Sequence, residues 1–158
     1  MRIEDKVSEL NLITILLGSF LLLSVISYSQ QPSFSQNSSQ TSATPPISVK
    51  TENNALQILI NWDPTAAPGS EIPFSIEFKH PFSEMNLQHV NYNIGVFDNN
   101  GSSIYSKENL HTHIGSDVQS IMIPNKGSYD MLITVLGTGI DPPFDMTRSG
   151  VAKISMDF

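Results

Sequence analysis

Apolar side chains recur at every second position through most of the chain after Ile47. The clearest such run consists of four large apolar residues: Ile72, Phe74, Ile76 and Phe78. Similar runs begin at Leu56 and at Val90. Because successive side chains of a β-strand point to opposite faces, this period of two is typical of strands that bury one face. The pattern predicts a domain built from β-strands.

Turn-forming residues separate the runs at short intervals. Asp-Asn-Asn-Gly at 98–101 is typical of a hairpin turn, and Pro-Asn-Lys-Gly at 124–127 of a second turn. Further strands are predicted around Ile104 and over residues 118–123, 129–136 and 151–158. About seven or eight short antiparallel strands predict an all-β, immunoglobulin-like sandwich, with an up-and-down or jelly-roll barrel as the alternative. Its predicted core comprises Trp62, Phe74, Phe78, Tyr92, Tyr129, Ile133, Ile154 and Met156.

The N-terminal region has a different pattern, because residues 10–28 are almost entirely apolar and carry no charge. As a helix this segment spans roughly 28 Å, about the thickness of the hydrocarbon layer of a membrane. Arg2 and Lys6 precede it, and the next basic residue is Lys50. This asymmetry predicts that residues 1–9 are cytoplasmic and that the rest of the chain lies outside the cytoplasm.

Two alternatives remain open for this segment. Ser27 and Ser29 are small residues that suit signal-peptide cleavage before Gln30, which would release a secreted protein. The apolar run exceeds the usual core of a signal peptide, and this length favours a retained membrane anchor.

Residues 29–46 consist almost wholly of Ser, Thr, Gln, Asn and Pro. A segment with so little apolar surface is predicted to be a disordered tether. The sequence thus divides into a cytoplasmic N-terminus, an anchor or signal segment, this tether, and a β-domain over residues 47–158.

Composition excludes several kinds of function. The 15 acidic residues outnumber the 8 Lys and Arg residues, which argues against nucleic acid as a partner. The chain has no cysteine, so it forms no disulfide, thiolate zinc site or blue-copper centre. No hydrolase elbow, zinc-protease motif or phosphate-binding loop is present. We therefore predict a non-enzymatic protein.

Histidines provide the one chemical signal in the sequence. His111 and His113 are two residues apart, so in an extended strand their imidazoles point to the same face. His89 has the opposite parity to the buried residues of the run that begins at Val90, which places it on the outer face. If the two strands are neighbours, these three histidines converge into a nitrogen site that suits zinc or copper(II).

Three further residues are candidate additional ligands: Met85, Asp117 and Met122. A thioether would favour copper(I), whereas a carboxylate would favour zinc or copper(II). The alternative interpretation is that His111 and His113 are ordinary solvent-facing residues, because a single His-x-His pair has little specificity. His80, immediately before Pro81, is interpreted as structural.

Three segments together resemble small exported, membrane-anchored β-sandwich proteins of archaea: His-Val-Asn-Tyr-Asn at 89–93, Asp-Asn-Asn-Gly at 98–101 and Leu-His-Thr-His-Ile-Gly at 110–115. The resemblance implies a membrane-attached domain outside the cytoplasm and supplies no catalytic residue. Two functions stay open. One is a tethered binding domain for a transition metal. The other is a structural or adhesive protein of the cell envelope that contacts protein partners through a sheet edge or through residues 137–150.

Overall fold

A computed structural model describes residues 44–158 of the chain. The predicted cytoplasmic N-terminus (1–9), the membrane segment (10–28) and the tether up to residue 43 lie outside the described residues. Within residues 44–158, no helix has the length and apolar character needed to cross a membrane.

The described residues form two antiparallel sheets of four strands each, which is a β-sandwich. The eight strands are β1 (Ile47–Lys50), β2 (Gln57–Asn61), β3 (Glu71–Lys79), β4 (Val90–Asp98), β5 (Ser103–Thr112), β6 (Ser116–Met122), β7 (Ser128–Thr138) and β8 (Gly150–Asp157). Their order is β1-β2-β3-β6 in the first sheet and β5-β4-β7-β8 in the second. A short 3₁₀ helix, Met146–Arg148, interrupts the connection between β7 and β8. The prediction of an all-β fold is confirmed.

The core lies between the sheets, where the alternating residues of both inner faces meet. In β3 the predicted positions are buried and the intervening ones are partly or fully exposed. All eight residues predicted for the core are buried. Each large apolar side chain buried in this way stabilises the fold by about 1.5–3 kcal/mol. Apolar packing therefore holds a domain in which no disulfide is available.

Four aromatic side chains pack together, including that of Phe158, the last residue of the chain. Phe158 lies within about 6.3 Å, between ring centroids, of Trp62, Phe74 and Tyr129. The Tyr129 hydroxyl donates a hydrogen bond of 2.9 Å to the backbone carbonyl of Asn125, four residues earlier. This bond ties the start of β7 to the turn that precedes it.

The hairpin of β4 and β5 leads to the three histidines at its open end, and the predicted turn at 98–101 closes its other end. The Asp98 carboxylate accepts hydrogen bonds from the backbone of Asn100 and Ser102, at 2.9 and 2.8 Å. Gly101 has a φ of 80°, which favours glycine. Two register shifts in the ladder, between Val96 and Phe97 and between Tyr92 and Ile94, then bring Asn91 opposite His111.

A polar network joins the two sheets along the edge where β5 and β6 lie. We call it the inter-sheet network, and its members are Tyr92, Tyr105, Lys107, Asp117 and Gln119. The Tyr92 hydroxyl donates to the Asp117 carboxylate at 2.6 Å, and Gln119 donates to the same oxygen at 2.8 Å. Burial, and then the hydrogen bond to Asp117, raise the pKa of Tyr92 far above its ordinary value. The phenol is therefore a permanent donor.

Candidate metal centre

His89 lies immediately before β4, at the end of the connection from β3. Its backbone has a φ of 52°, in the left-handed region that few residues other than glycine occupy. Hydrogen bonds fix this conformation on both sides. The His89 N–H donates to the His113 carbonyl at 3.2 Å, and the His89 carbonyl accepts from the Gly139 N–H at 2.8 Å. A strained residue held by its surroundings in this way is characteristic of functional sites.

His111 is the penultimate residue of β5, and His113 follows the last residue, Thr112. The prediction that the two imidazoles share a face required both histidines to lie on one extended strand. In the structure the strand ends between them, and the bond from His89 holds the backbone of His113 instead. The β3–β4 connection, which carries His89, is therefore hydrogen-bonded through its main chain to the β5–β6 connection, which carries His113.

The three imidazoles are close together. Their ring centroids are 5.7 Å apart for His89 and His111, 5.2 Å for His89 and His113, and 4.7 Å for His111 and His113. One nitrogen from each ring lies within 4.8 Å of the others. We call these three residues the histidine cluster. Three nitrogens bound to one zinc ion at about 2.0–2.1 Å lie about 3.3–3.6 Å apart, so a pair at the 4.8 Å limit must approach by about 1.2–1.5 Å to bind one ion.

Two nitrogens of the histidine cluster are buried without a hydrogen-bond partner. They are Nδ1 of His89 and Nε2 of His111. Among residues 44–158, no other buried side-chain nitrogen or oxygen lacks a partner. Most buried polar atoms in proteins are hydrogen-bonded, and an unsatisfied one costs about 1–3 kcal/mol. Both exceptions thus occur in the same cluster.

Asn91 lies beneath the cluster and is only 6% exposed. Its amide nitrogen donates to the Gly139 carbonyl at 2.8 Å and to the His89 carbonyl at 3.4 Å. Its amide oxygen is 2.8 Å from Nδ1 of His111. Asn91 therefore contacts both histidines that carry an unpartnered nitrogen.

Burial lowers the pKa of His111 below its ordinary value, and the neighbouring His113 and His89 lower this pKa further. The neutral imidazole is the form that binds a metal ion. The environment therefore keeps this ring in the ligand form to a lower pH than usual.

Gly115 sets the spacing between the two connections that carry His113 and His89. It has a φ of 72°, and a β-carbon added there would lie 1.9 Å from the Leu87 carbonyl oxygen. The Gly115 carbonyl also accepts a 2.8 Å hydrogen bond from the Phe78 N–H. Only glycine lets the β5–β6 turn approach the backbone that leads to His89 this closely.

Of the other predicted ligands, Asp117 is not a member of the cluster. Both oxygens of Asp117 accept hydrogen bonds within the protein, from the Val118 N–H and from Tyr92 and Gln119. Met122 is 55% exposed in β6, on the other sheet, and Met85 is 66% exposed in the β3–β4 connection. His80 is outside the cluster.

Sequence reasoning did not identify Asn91. Its parity within β4 matches that of His89, which is the one signal in the sequence that could have placed it beside the histidines. An asparagine on the outer face of a strand is otherwise unremarkable. Its role depends on contacts with His111 and Gly139, 20 and 48 residues away.

No protein-family model, curated protein or solved structure matches this chain.

Proposed function

We propose that the β-domain binds a transition-metal ion, zinc or copper(II), through His89, His111 and His113. The observation that carries this proposal is the pair of unpartnered buried nitrogens, Nδ1 of His89 and Nε2 of His111, within a cluster of three imidazoles. Coordination to a metal ion would satisfy both atoms at once. The ring nitrogens of histidines that are simply exposed to solvent have water as a partner instead.

The donor set supports these two metals. Imidazole nitrogen is a preferred ligand of zinc and of copper(II). Three such donors leave a fourth position open to water or to a group from another molecule. We propose that both sulfur atoms remain outside the first coordination sphere, because the three imidazoles form a cluster without them.

The cellular location of the domain is a second part of the proposal. We propose a non-enzymatic binding domain that an N-terminal helix tethers to the membrane, outside the cytoplasm. This part rests on the uncharged segment 10–28, on the basic residues before it, and on the polar residues 29–46 that follow. A cleaved segment would give a secreted domain with the same site.

We further propose that the sandwich is immunoglobulin-like. The order β2-β3-β6 in one sheet and β5-β4-β7-β8 in the other corresponds to strands A-B-E and C′-C-F-G, with β1 as an added edge strand. The Tyr129–Asn125 hydrogen bond at the start of β7 has the form of the tyrosine corner found at strand F of such domains. Both features support the proposal independently.

Metal titration tests the proposed site. The 158-residue chain is prepared without a polyhistidine tag and titrated with zinc and copper(II) by calorimetry, and copper(II) binding is also followed by electron paramagnetic resonance. We expect one equivalent to bind, with nitrogen hyperfine structure in the copper spectrum. The H111A/H113A double variant should lose binding by at least about 100-fold, which is about 2.7 kcal/mol.

His80 provides a matched control, because it is the one histidine outside the cluster. The H80A variant should bind like the unaltered chain. Equal affinity of the double variant and the unaltered chain would contradict the assignment of ligands. No binding by either would contradict the metal-binding function.

A second candidate function is adhesion to a protein partner. Apolar side chains are exposed on the β7–β8 connection, at Ile140 (65%) and Met146 (63%). Exposed apolar residues on a loop favour a contact surface. This candidate requires no metal. It predicts that I140S/M146S abolishes partner binding whether or not the histidines are intact.

A further inference from the structure

The amide of Asn91 has one permissible orientation. Two backbone carbonyls, those of Gly139 and His89, face one end of the amide at 2.8 and 3.4 Å. Carbonyl oxygens only accept hydrogen bonds, so the NH₂ group must face them. The Asn91 oxygen is thereby turned toward the ring of His111.

This orientation determines which ring nitrogen of His111 carries the proton. Asn91 Oδ1 is an acceptor 2.8 Å from His111 Nδ1, so Nδ1 must carry the hydrogen. In a neutral imidazole the other nitrogen then has a free lone pair. That nitrogen, Nε2, is the buried atom without a partner.

We propose that Asn91 is a positioning residue that fixes His111 in its Nδ1-protonated tautomer and so presents Nε2 to a zinc or copper(II) ion; this rests on the metal-binding function proposed above. Metal-bound histidines usually donate their other ring N–H to a carbonyl or carboxylate oxygen, and such a partner orients the ring. The Asn91 amide oxygen has this role here. The same amide also holds the His89 carbonyl, and thus the backbone of a second ligand.

The donor atoms therefore differ between the two histidines. The unpartnered nitrogen is Nε2 in His111 but Nδ1 in His89. We assign His89 Nδ1 and His111 Nε2 as the metal-binding atoms.

The tautomers can be measured without metal. In the ¹⁵N-labelled, metal-free chain above pH 7, long-range ¹H–¹⁵N correlation spectra distinguish the two tautomers of each imidazole. We expect His111 to be protonated on Nδ1 and His89 on Nε2. A proton on Nε2 of His111 would overturn the proposal, whatever the metal affinity.

Two variants separate positioning from folding. In N91L, His111 loses its acceptor, so we expect a mixture of tautomers and metal affinity that is tenfold to 100-fold weaker. In N91D, a carboxylate oxygen still accepts from Nδ1, so the tautomer and most of the affinity should return, although both carbonyls lose their donor. A loss of affinity in N91D equal to that in N91L, with the tautomer retained, would overturn the link between tautomer and affinity.

The outcomes of the two proposals are distinguishable. If the unaltered chain binds neither zinc nor copper(II) while His111 has the expected tautomer, the proposed function fails and the assignment of the tautomer to Asn91 stands. If the chain binds metal while His111 is protonated on Nε2, the function stands and the positioning role fails.

Discussion

Strands β4 and β5 supply two polar clusters that differ in one respect. On the inner side, the inter-sheet network connects Tyr92 and Tyr105 to strand β6 through Gln119. On the outer side, the histidine cluster lies over Asn91. In residues 44–158, each buried side-chain nitrogen or oxygen of the network has a hydrogen-bond partner, whereas two nitrogens of the histidine cluster have none.

This difference distinguishes a polar cluster that stabilises the fold from one that is available to bind a ligand. A network whose members are all satisfied holds one arrangement of strands and has no capacity left for a ligand. A cluster with unsatisfied nitrogens costs the fold free energy until something binds to them. The comparison predicts that the network contributes to stability without any ligand and that the histidine cluster contributes when metal is bound.

The largest expected effect is stabilisation by metal. At a free zinc concentration about 100 times the Kd, binding to the folded state alone should raise the free energy of unfolding by about 2.7 kcal/mol. Thermal unfolding of the chain, followed by circular dichroism with and without zinc, measures this effect. The H111A/H113A variant is the control, and an equal rise in its midpoint would assign the stabilisation to another site.

A smaller effect distinguishes the clusters in the absence of metal. Gln119→Leu removes the acceptor of the partly buried Tyr105 hydroxyl and the donor to Tyr92 and Asp117, so we expect a loss of about 1–3 kcal/mol in urea unfolding. His113→Ala removes an exposed ring and should change stability by less than about 0.5 kcal/mol. Similar losses in both variants would remove the distinction between the clusters.

The sequence was sufficient to predict most of the fold, because burial of one face imposes a period of two on strands such as β3, β7 and β8; the mostly exposed β5 lacks it. The run from Ile72 to Phe78 specified β3 almost to its ends. The parity of His89 and the spacing of His111 and His113 also identified three residues that are neighbours in space. Parity defines the face of a strand, whereas the pairing of Asn91 with His111 also depends on two register shifts between β4 and β5 that the alternation does not predict.

Other features of the site depend on contacts between distant segments, which local patterns do not encode. The left-handed backbone of His89 results from bonds to His113 and Gly139. Asp117 was a reasonable candidate ligand by composition, yet its carboxylate accepts hydrogen bonds from Tyr92 and Gln119. Gln119 lies two residues away on the same strand, but Tyr92 is 25 residues away and belongs to the other sheet.

The smallest expected effect is a dependence of stability on pH in the metal-free chain. The pKa of His111 is lowered in the folded state, so below about pH 6.5 the unfolded state binds more protons. Stability should therefore be flat above that pH and fall as the pH decreases toward the lowered pKa. Urea unfolding at several pH values measures the slope. His111→Gln should reduce it, and an unchanged slope in this variant would contradict the assignment to His111.

The close approach at Gly115 makes the histidine cluster sensitive to a substitution at a position that supplies no ligand. The gap between His113 and His89 is set where main chain meets main chain, with no side chain acting as a spacer. A single added methyl group at position 115 would clash with the Leu87 carbonyl oxygen and push the two loops apart, although every histidine would be unchanged. In a library of random variants, Gly115 should therefore be retained in every clone that still binds the metal ion, as the three histidines are, although it supplies no ligand atom.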